Sequence, residues 1–418
     1  MSIEVQAIQR VRAFVESTFG ADSSGSAGSF TDLPIVEGSV NLTLTRDELN
    51  TGILRQHIDD GTVRVLGKRR AVLSFQVNLA TTGTLATTSV SAVTSPMGLL
   101  LKAVMGGEEL AQGSTSAAGS TASVINVQPG HGSRWSAGKA MVWINTAGIP
   151  ELREVESVST DAITLKRAFS GSPASTNPLY NCATYYMTAK PAQSLAMIVE
   201  GLEADDRWLL TGGQADGGFT YSLDMTAGAI PRLTFNFTFA NWRASNETSS
   251  SLTGTLGAAT YTATSPLVGE AGAFELWTMG TATYAATQLL PVSACSFEPH
   301  CQFAAVTSPS GTNTIQEWQK TTNPDGPVKG SFTLPYEATT YFANRNARDT
   351  LGLMYMAGSS TAGFALSAPT VQLLNPQRVP DSAGFAAQTV MWTGRRDGDV
   401  GSSTTDLARS PHRLHIWG

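Results

Sequence analysis

Cysteine, charge and long apolar runs are all scarce in this chain of 418 residues. Cys182, Cys295 and Cys301 are too few and too unevenly placed for a disulfide framework, so a reducing cytoplasm is the expected place of synthesis. Charged residues make up 14% of the chain and the formal net charge is -6, which gives no support to a sequence-independent nucleic-acid binder, a class that wants a basic excess. No run of eighteen or more apolar residues occurs, so no membrane-spanning helix is expected. Glu4, Gln6, Gln9, Arg10 and Arg12 interrupt the N-terminal segment, which does not read as a secretory leader. The Asn-X-Ser/Thr sites at Asn41, Asn236 and Asn246 then carry no glycan meaning.

Catalytic motifs are missing too. GxSxG, GxxxxGK[ST] and HExxH are all absent, which removes the simplest hydrolase, nucleotide and zincin readings. Gly130-His131-Gly132-Ser133 has an active-site look but no acid or second histidine placed beside it, and reads as a turn. His412 and His415 have HxxH spacing without a further ligand, whereas a metal site needs at least one more. Cys295 and Cys301 would share one strand face about 20 Å apart, too far to hold one ion, and read as buried thiols. The acids Glu203, Asp205 and Asp206, like Asp59 and Asp60, read as exposed turn residues. No catalytic, cofactor-binding or metal-binding set is expected.

What is present is β-strand patterning, densest from Gly218 to Trp242. Tyr221, Leu223 and Met225 alternate with Ser222, Asp224 and Thr226; after a Gly-containing turn, Leu233, Phe235, Phe237 and Phe239 alternate with polar partners. Period two on both sides of a turn predicts an antiparallel hairpin with one buried face. Each phenylalanine so buried contributes roughly 1.5–3 kcal/mol. Earlier in the chain, Val40, Leu42 and Leu44 alternate, as do Leu73, Phe75, Val77 and Leu79. Between them runs a charged stretch, Asn50–Arg70, whose length for a loop suggests a contact role. Met97–Met105 predicts a short helix across the sheet. Ile8, Val11, Phe14 and Val15 fit a short amphipathic helix or an arm docked on a neighbour.

The predicted organisation is mainly β. It comprises an N-terminal arm and linker (1–30), a first β-sandwich or barrel domain with a flanking helix (31–110 and 191–245), a small inserted β-module (111–190), a connector (246–290) and a second domain with a C-terminal extension (291–418). The second domain repeats the element order of the first, with Val328, Phe332 and Leu334 in place of Leu73, Phe75 and Val77 and a helix at 338–358. An internal duplication of this kind is the main organisational expectation.

With VRAFVESTFG and DLPIVEGSVNLTLTRDEL at its start, this order of elements resembles the major tail tube proteins of long-tailed bacteriophages, including their duplicated, two-domain type. The resemblance covers most of the chain loosely, without a diagnostic motif. It implies a virion protein made in the host cytoplasm that polymerises into stacked rings, trimeric pseudo-hexamers or hexamers, alongside other tail proteins. DNA would pass through the lumen without specific binding, and no cofactor or membrane would be involved. It further implies an inter-ring contact loop bearing Asp47, Glu48, Arg55, Asp59, Asp60, Arg64, Lys68 and Arg69. Lumen-facing positions would be Ser222, Asp224, Thr226, Thr234, Asn236 and Thr238, and the inter-subunit arm Ile8, Val11, Phe14 and Val15. The alternatives are another tail structural or receptor-binding protein, and a β-rich carbohydrate-active enzyme with paired carboxylates in an aromatic cleft.

Overall fold

The computed structural model describes residues 10–16, 18–20, 30–50, 64–80, 96–110, 112–188, 194–201, 206–224, 230–244, 272–278, 289–299, 303–307, 315–320, 328–335, 351–374, 376–380, 386–396 and 405–417. Among the described residues strand accounts for 63% and helix for 7%, so the structure is mainly β, and its sheets are antiparallel. The chain opens with β1 (Arg10–Val15) and β2 (Thr31–Asp32), then a long hairpin of β3 (Asn41–Asn50) and β4 (Arg64–Asn78). Helix α1 (Pro96–Met105) runs directly into β5 (Gly106–Glu109). Next come β6 (Ser114–Thr115), β7 (Val124–Asn126), β8 (Ala140–Ile144), β9 (Pro150–Ser159), β10 (Ala162–Leu165) and β11 (Pro178–Asn181). The first half closes with β12 (Ala183–Met187), β13 (Leu195–Glu200), β14 (Arg207–Asp224) and β15 (Arg232–Ala244). The second half begins with β16 (Ala273–Thr278), β17 (Leu289–Leu290), β18 (Ala294–Pro299), β19 (Phe303–Thr307), β20 (Ile315–Lys320) and β21 (Val328–Pro335). It ends with β22 (Leu351–Gly358), β23 (Gly363–Leu373), β24 (Gln377–Pro380), β25 (Ala386–Gly394), the short helix α2 (Asp406–Arg409) and β26 (Arg413–Trp417).

Eighteen of these strands belong to one sheet system. Its first ribbon is β3-β4-β15-β14, in which Leu42 faces Leu73, Phe75 faces Phe235 and Tyr221 faces Leu233. A second ribbon, β18-β21-β25-β24, has the same succession of pairings: Cys295 faces Phe332, Phe332 faces Val390, and Arg378 faces Gln388. The two ribbons are not separate sheets. β14 pairs with β18, Tyr221 opposite Phe297 and Asp224 opposite Ala294, and so joins the halves edge to edge.

The core explains why these strands form. On β4 and β15 the residues pointing inward are Leu73, Phe75, Val77, Leu233, Phe235, Phe237 and Phe239, all buried. Phe75 lies 5.8 Å from Phe235 and 6.0 Å from Phe237, a cross-strand aromatic ladder of the kind that fixes register. Helix α1, with Pro at its first position, buries Leu100, Leu101, Val104 and Met105 against this half. Residues 114–181 form a six-stranded sheet, β6-β11-β8-β9-β10-β7, that curls until its ends meet at the Ser116–Val127 bridge. It has a core of its own around Trp135, Trp143, Val155 and Phe169.

Four expectations are corrected. Residues Arg10–Val15 form a strand, not a helix: Val11 and Ala13 enter the core, while Arg10 and Arg12 on the other face lie 2.5 and 3.3 Å from Asp32. Leu351–Gly358, expected within a helix at 338–358, is a strand; positions 338–350 lie outside the described residues. Asn50–Arg70 is not loop throughout, since pairing continues out to Asn50 opposite Arg64, and only 51–63 lies outside the described residues. Finally, β12 does not belong to the inserted module, because it pairs with β5 and β26 in the large sheet.

Candidate functional site

The side chains that alternate with the core residues define a second face of the joined ribbons. On β15 they are Arg232, Thr234, Asn236 and Thr238, with Asn236 exposed and Thr234 and Thr238 half-buried. Beside them on β4 and β3 lie Ser74, Gln76, Asn41 and Thr43, since Asn236 faces Ser74, which faces Asn41. Gln76 Nε2 donates to Thr234 Oγ1 at 3.4 Å. The same face continues through the second ribbon. Ser296 and Ser331 hydroxyls lie 3.0 Å apart, and Thr333 and Thr389 hydroxyls 2.8 Å apart. Charge on this stretch is sparse: Arg232 is exposed and Lys329 pairs with Glu298 at 3.7 Å. Val72 and Met391 are its exposed apolar side chains.

Of the sequence-predicted wall positions, the structure therefore places Thr234, Asn236 and Thr238 together on this face. Ser222 and Asp224 lie on β14, opposite Ser296 and Ala294 in the join, while Thr226 lies outside the described residues. Among the predicted contact residues, Asp47 and Glu48 lie on β3, and Arg64, Lys68 and Arg69 on β4; Arg55, Asp59 and Asp60 lie outside the described residues. Asp47 and Lys68 are exposed, as are Arg46 and Arg70, so charge collects at the far end of this hairpin. Arg69 is engaged within its own chain. Its guanidinium sits 4.8 Å over the Trp242 ring and donates to Trp242 O, while Trp242 Nε1 donates to Thr45 O at 3.0 Å. Of the predicted arm, Val11 is buried in the core of its own chain, Phe14 packs 5.5 Å from Phe30, and Val15 is half-buried. Ile8 lies outside the described residues.

Sequence reasoning missed a second constellation, a buried ionic network that fastens the curled module to the large sheet. Glu154 on β9 accepts from Arg413 Nη1 at 2.9 Å and from Ser367 Oγ at 2.5 Å, with Lys166 Nζ at 3.3 Å. Arg413 also donates to Leu407 O and Ala408 O, so α2 is held by the same guanidinium. Close by, Glu275 on β16 meets Arg153 at 3.3 Å and Arg167 on the module. Burial alone pushes the Glu154 carboxyl up, but Arg413, Lys166 and His415 outweigh it and hold it well below the usual range. The only sequence signal was charge inside otherwise apolar strands, as in RLHIW.

Ser367, His415 and Glu154 are near neighbours without the order of a catalytic triad. Ser367 Oγ at 3.4 Å and Glu154 Oε1 at 3.3 Å both approach His415 Nε2, and Nδ1 faces Thr184, with all of these groups buried. His131 is likewise a turn residue, its Nδ1 at 2.9 Å from Ser114 and its Nε2 at 2.9 Å from Arg134. Asp161 accepts from the Gly130 and Gly132 amides of that turn. Among the described residues no group of three His, Cys, Asp or Glu side chains is placed to hold a metal. Cys182 and Cys295 are buried thiols outside any disulfide, and burial pushes Cys295 up to about 12. No protein-family model matches the chain, and no curated protein matches it.

Proposed function

We propose that the chain is the ring-forming subunit of a bacteriophage tail tube, a hollow conduit whose wall DNA passes without binding. The observation that carries this reading is the hydroxyl- and amide-rich face running across two equivalent ribbons, bounded by a hairpin whose far end carries the charge. A wall for moving DNA must offer few cations, because each phosphate neutralised by Lys or Arg releases counterions and holds the duplex. Ser74, Thr234, Asn236, Ser296, Ser331 and Thr389 meet that requirement. The exposed charges Arg46, Asp47, Lys68 and Arg70 then suit the contact between stacked rings, where paired charges set register more than affinity. Two ribbons per chain favour three copies to a ring.

Negative-stain microscopy of the purified protein, across concentration and ionic strength, tests the reading. Stacked rings or tubes with a channel wide enough for a DNA duplex are expected. Monomers, or closed assemblies that never stack and that bind or cleave glycan, would overturn it.

A further inference from the structure

The internal join between ribbons is a template for a join between copies. Each ribbon has a leading strand, β3 or β18, and a trailing strand, the outer part of β14 or β24. Inside the chain, trailing β14 pairs with leading β18. Among the described residues, leading β3 pairs with β4 alone and trailing β24 with β25 alone. Among the described residues, one edge of each kind is therefore unused.

Two further observations mark these edges as incomplete. Superposing the ladders, with Phe75 matched to Phe332, places Leu42 at the position of Phe297 and Val40 at that of Cys295. Phe297 and Cys295, covered by the join, are buried; Leu42 and Val40, at the unused edge, are only half-buried. At the other edge, Gln388 faces Arg378 of β24, is 1% exposed, and has neither its amide oxygen nor its nitrogen hydrogen-bonded. Its counterpart next to the completed join is Leu233. At the strand edge itself Arg378 is exposed, whereas its counterpart beside the completed join, Tyr221, is buried.

We propose that β24 of one copy pairs antiparallel with β3 of a second copy, head to tail, in the register Gln377 opposite Thr43, Arg378 opposite Leu42 and Val379 opposite Asn41. This register is the β14–β18 register carried over by the repeat. The join is heterologous, so repeated use closes a ring or winds a filament, and each further copy consumes the edge left by the last. It deepens the tube reading by naming the contact between copies, yet its register stands on the repeat alone.

Variants with one introduced cysteine test it, with Cys301 replaced by serine and the buried Cys182 and Cys295 kept. N41C and V379C proteins are mixed and oxidised, so that only contact between different copies yields the mixed disulfide. Directly opposite residues fall within disulfide reach, whereas pairs displaced by two lie about 7–8 Å apart or more. The mixed dimer should form about tenfold faster from N41C with V379C than from N41C with Q377C. Should V379C fail to fold, T43C with Q377C reads the same register. Equal yields from both pairs, N41C homodimers only, or no disulfide would overturn the join. Cross-links without tubes keep the join and remove the conduit; tubes without cross-links do the reverse.

Discussion

The two ribbons share pairing and register but fill the same space differently. At one matched rung, Leu73 lies opposite Phe237 in the first ribbon, while Gly330 lies opposite Trp392 in the second. A Cβ on Gly330 would come within 2.1 Å of Ser296 O and 2.5 Å of the Trp392 ring. The indole thus occupies the room that a side chain on Gly330 would need. At the next rung Phe75–Phe235 becomes Phe332–Val390, and beyond it Val77–Leu233 becomes Leu334–Gln388. Backbone pairing is the repeated quantity, whereas side-chain volume is not conserved from rung to rung, so each ribbon fills its core in its own way.

The largest expected effect comes from forcing one solution onto the other. Gly330→Leu, which copies the first ribbon's residue, should leave little folded protein, read as loss of a cooperative melting transition. Leu73→Ala, the opposite change in volume at the matched rung, should cost about 2–5 kcal/mol while leaving the transition cooperative. If G330L melts normally, the matched rungs are not packed as described.

A smaller effect of the opposite sign is expected at Gln388. Gln388→Leu copies Leu233 and removes two unpaired buried polar atoms, so the single chain should gain about 1–3 kcal/mol in urea unfolding. A loss of stability would mean that the amide already has a partner in the isolated chain.

A last effect appears only when pH is varied. His412 packs 5.7 Å from Phe297 behind the second ribbon and donates from Nδ1 to Ser367 O at 2.8 Å. Burial is the main reason its pKa falls to about 3, against 6.5 for the free group; the charges of His415 and Arg413 add to the fall, and Glu154 and Ser367 O oppose it. The unfolded chain therefore binds the extra proton first. The contribution of His412 is complete above pH 6.5 and is lost progressively as pH falls toward 3. The urea midpoint should decline over that window, and His412→Gln should flatten the decline. An unchanged profile would separate the second ribbon's stability from this histidine.

Legibility followed the burial pattern. β4 and β15 have one wet and one dry face, so their period-two alternation named both the strand and its core residues, and the polar face with them. Leu351–Gly358 is buried on nearly every side chain, which erases the alternation and leaves an apolar run that passes for a helix. Arg10–Val15 misled for a different reason: its arginines are neutralised by Asp32, more than fifteen residues away in the chain. The join between the ribbons was not legible, because pairing of Tyr221 with Phe297 leaves no local trace in either segment. The Glu154 network was hidden likewise, its partners being separated by as many as 261 positions.

That separation has a consequence for the growing chain. β12 is made long before β26, and Thr184 awaits the His415 it bonds across 231 positions. At roughly 5–20 residues per second, the edge of β12 and the acid of Glu154 spend tens of seconds uncovered on the ribosome. The curled module can fold early around Trp143 and Phe169, but it cannot be seated until Arg413 has emerged. Seating the module is therefore a late event in synthesis, and a chain stalled between these strands carries a finished module with nowhere to dock.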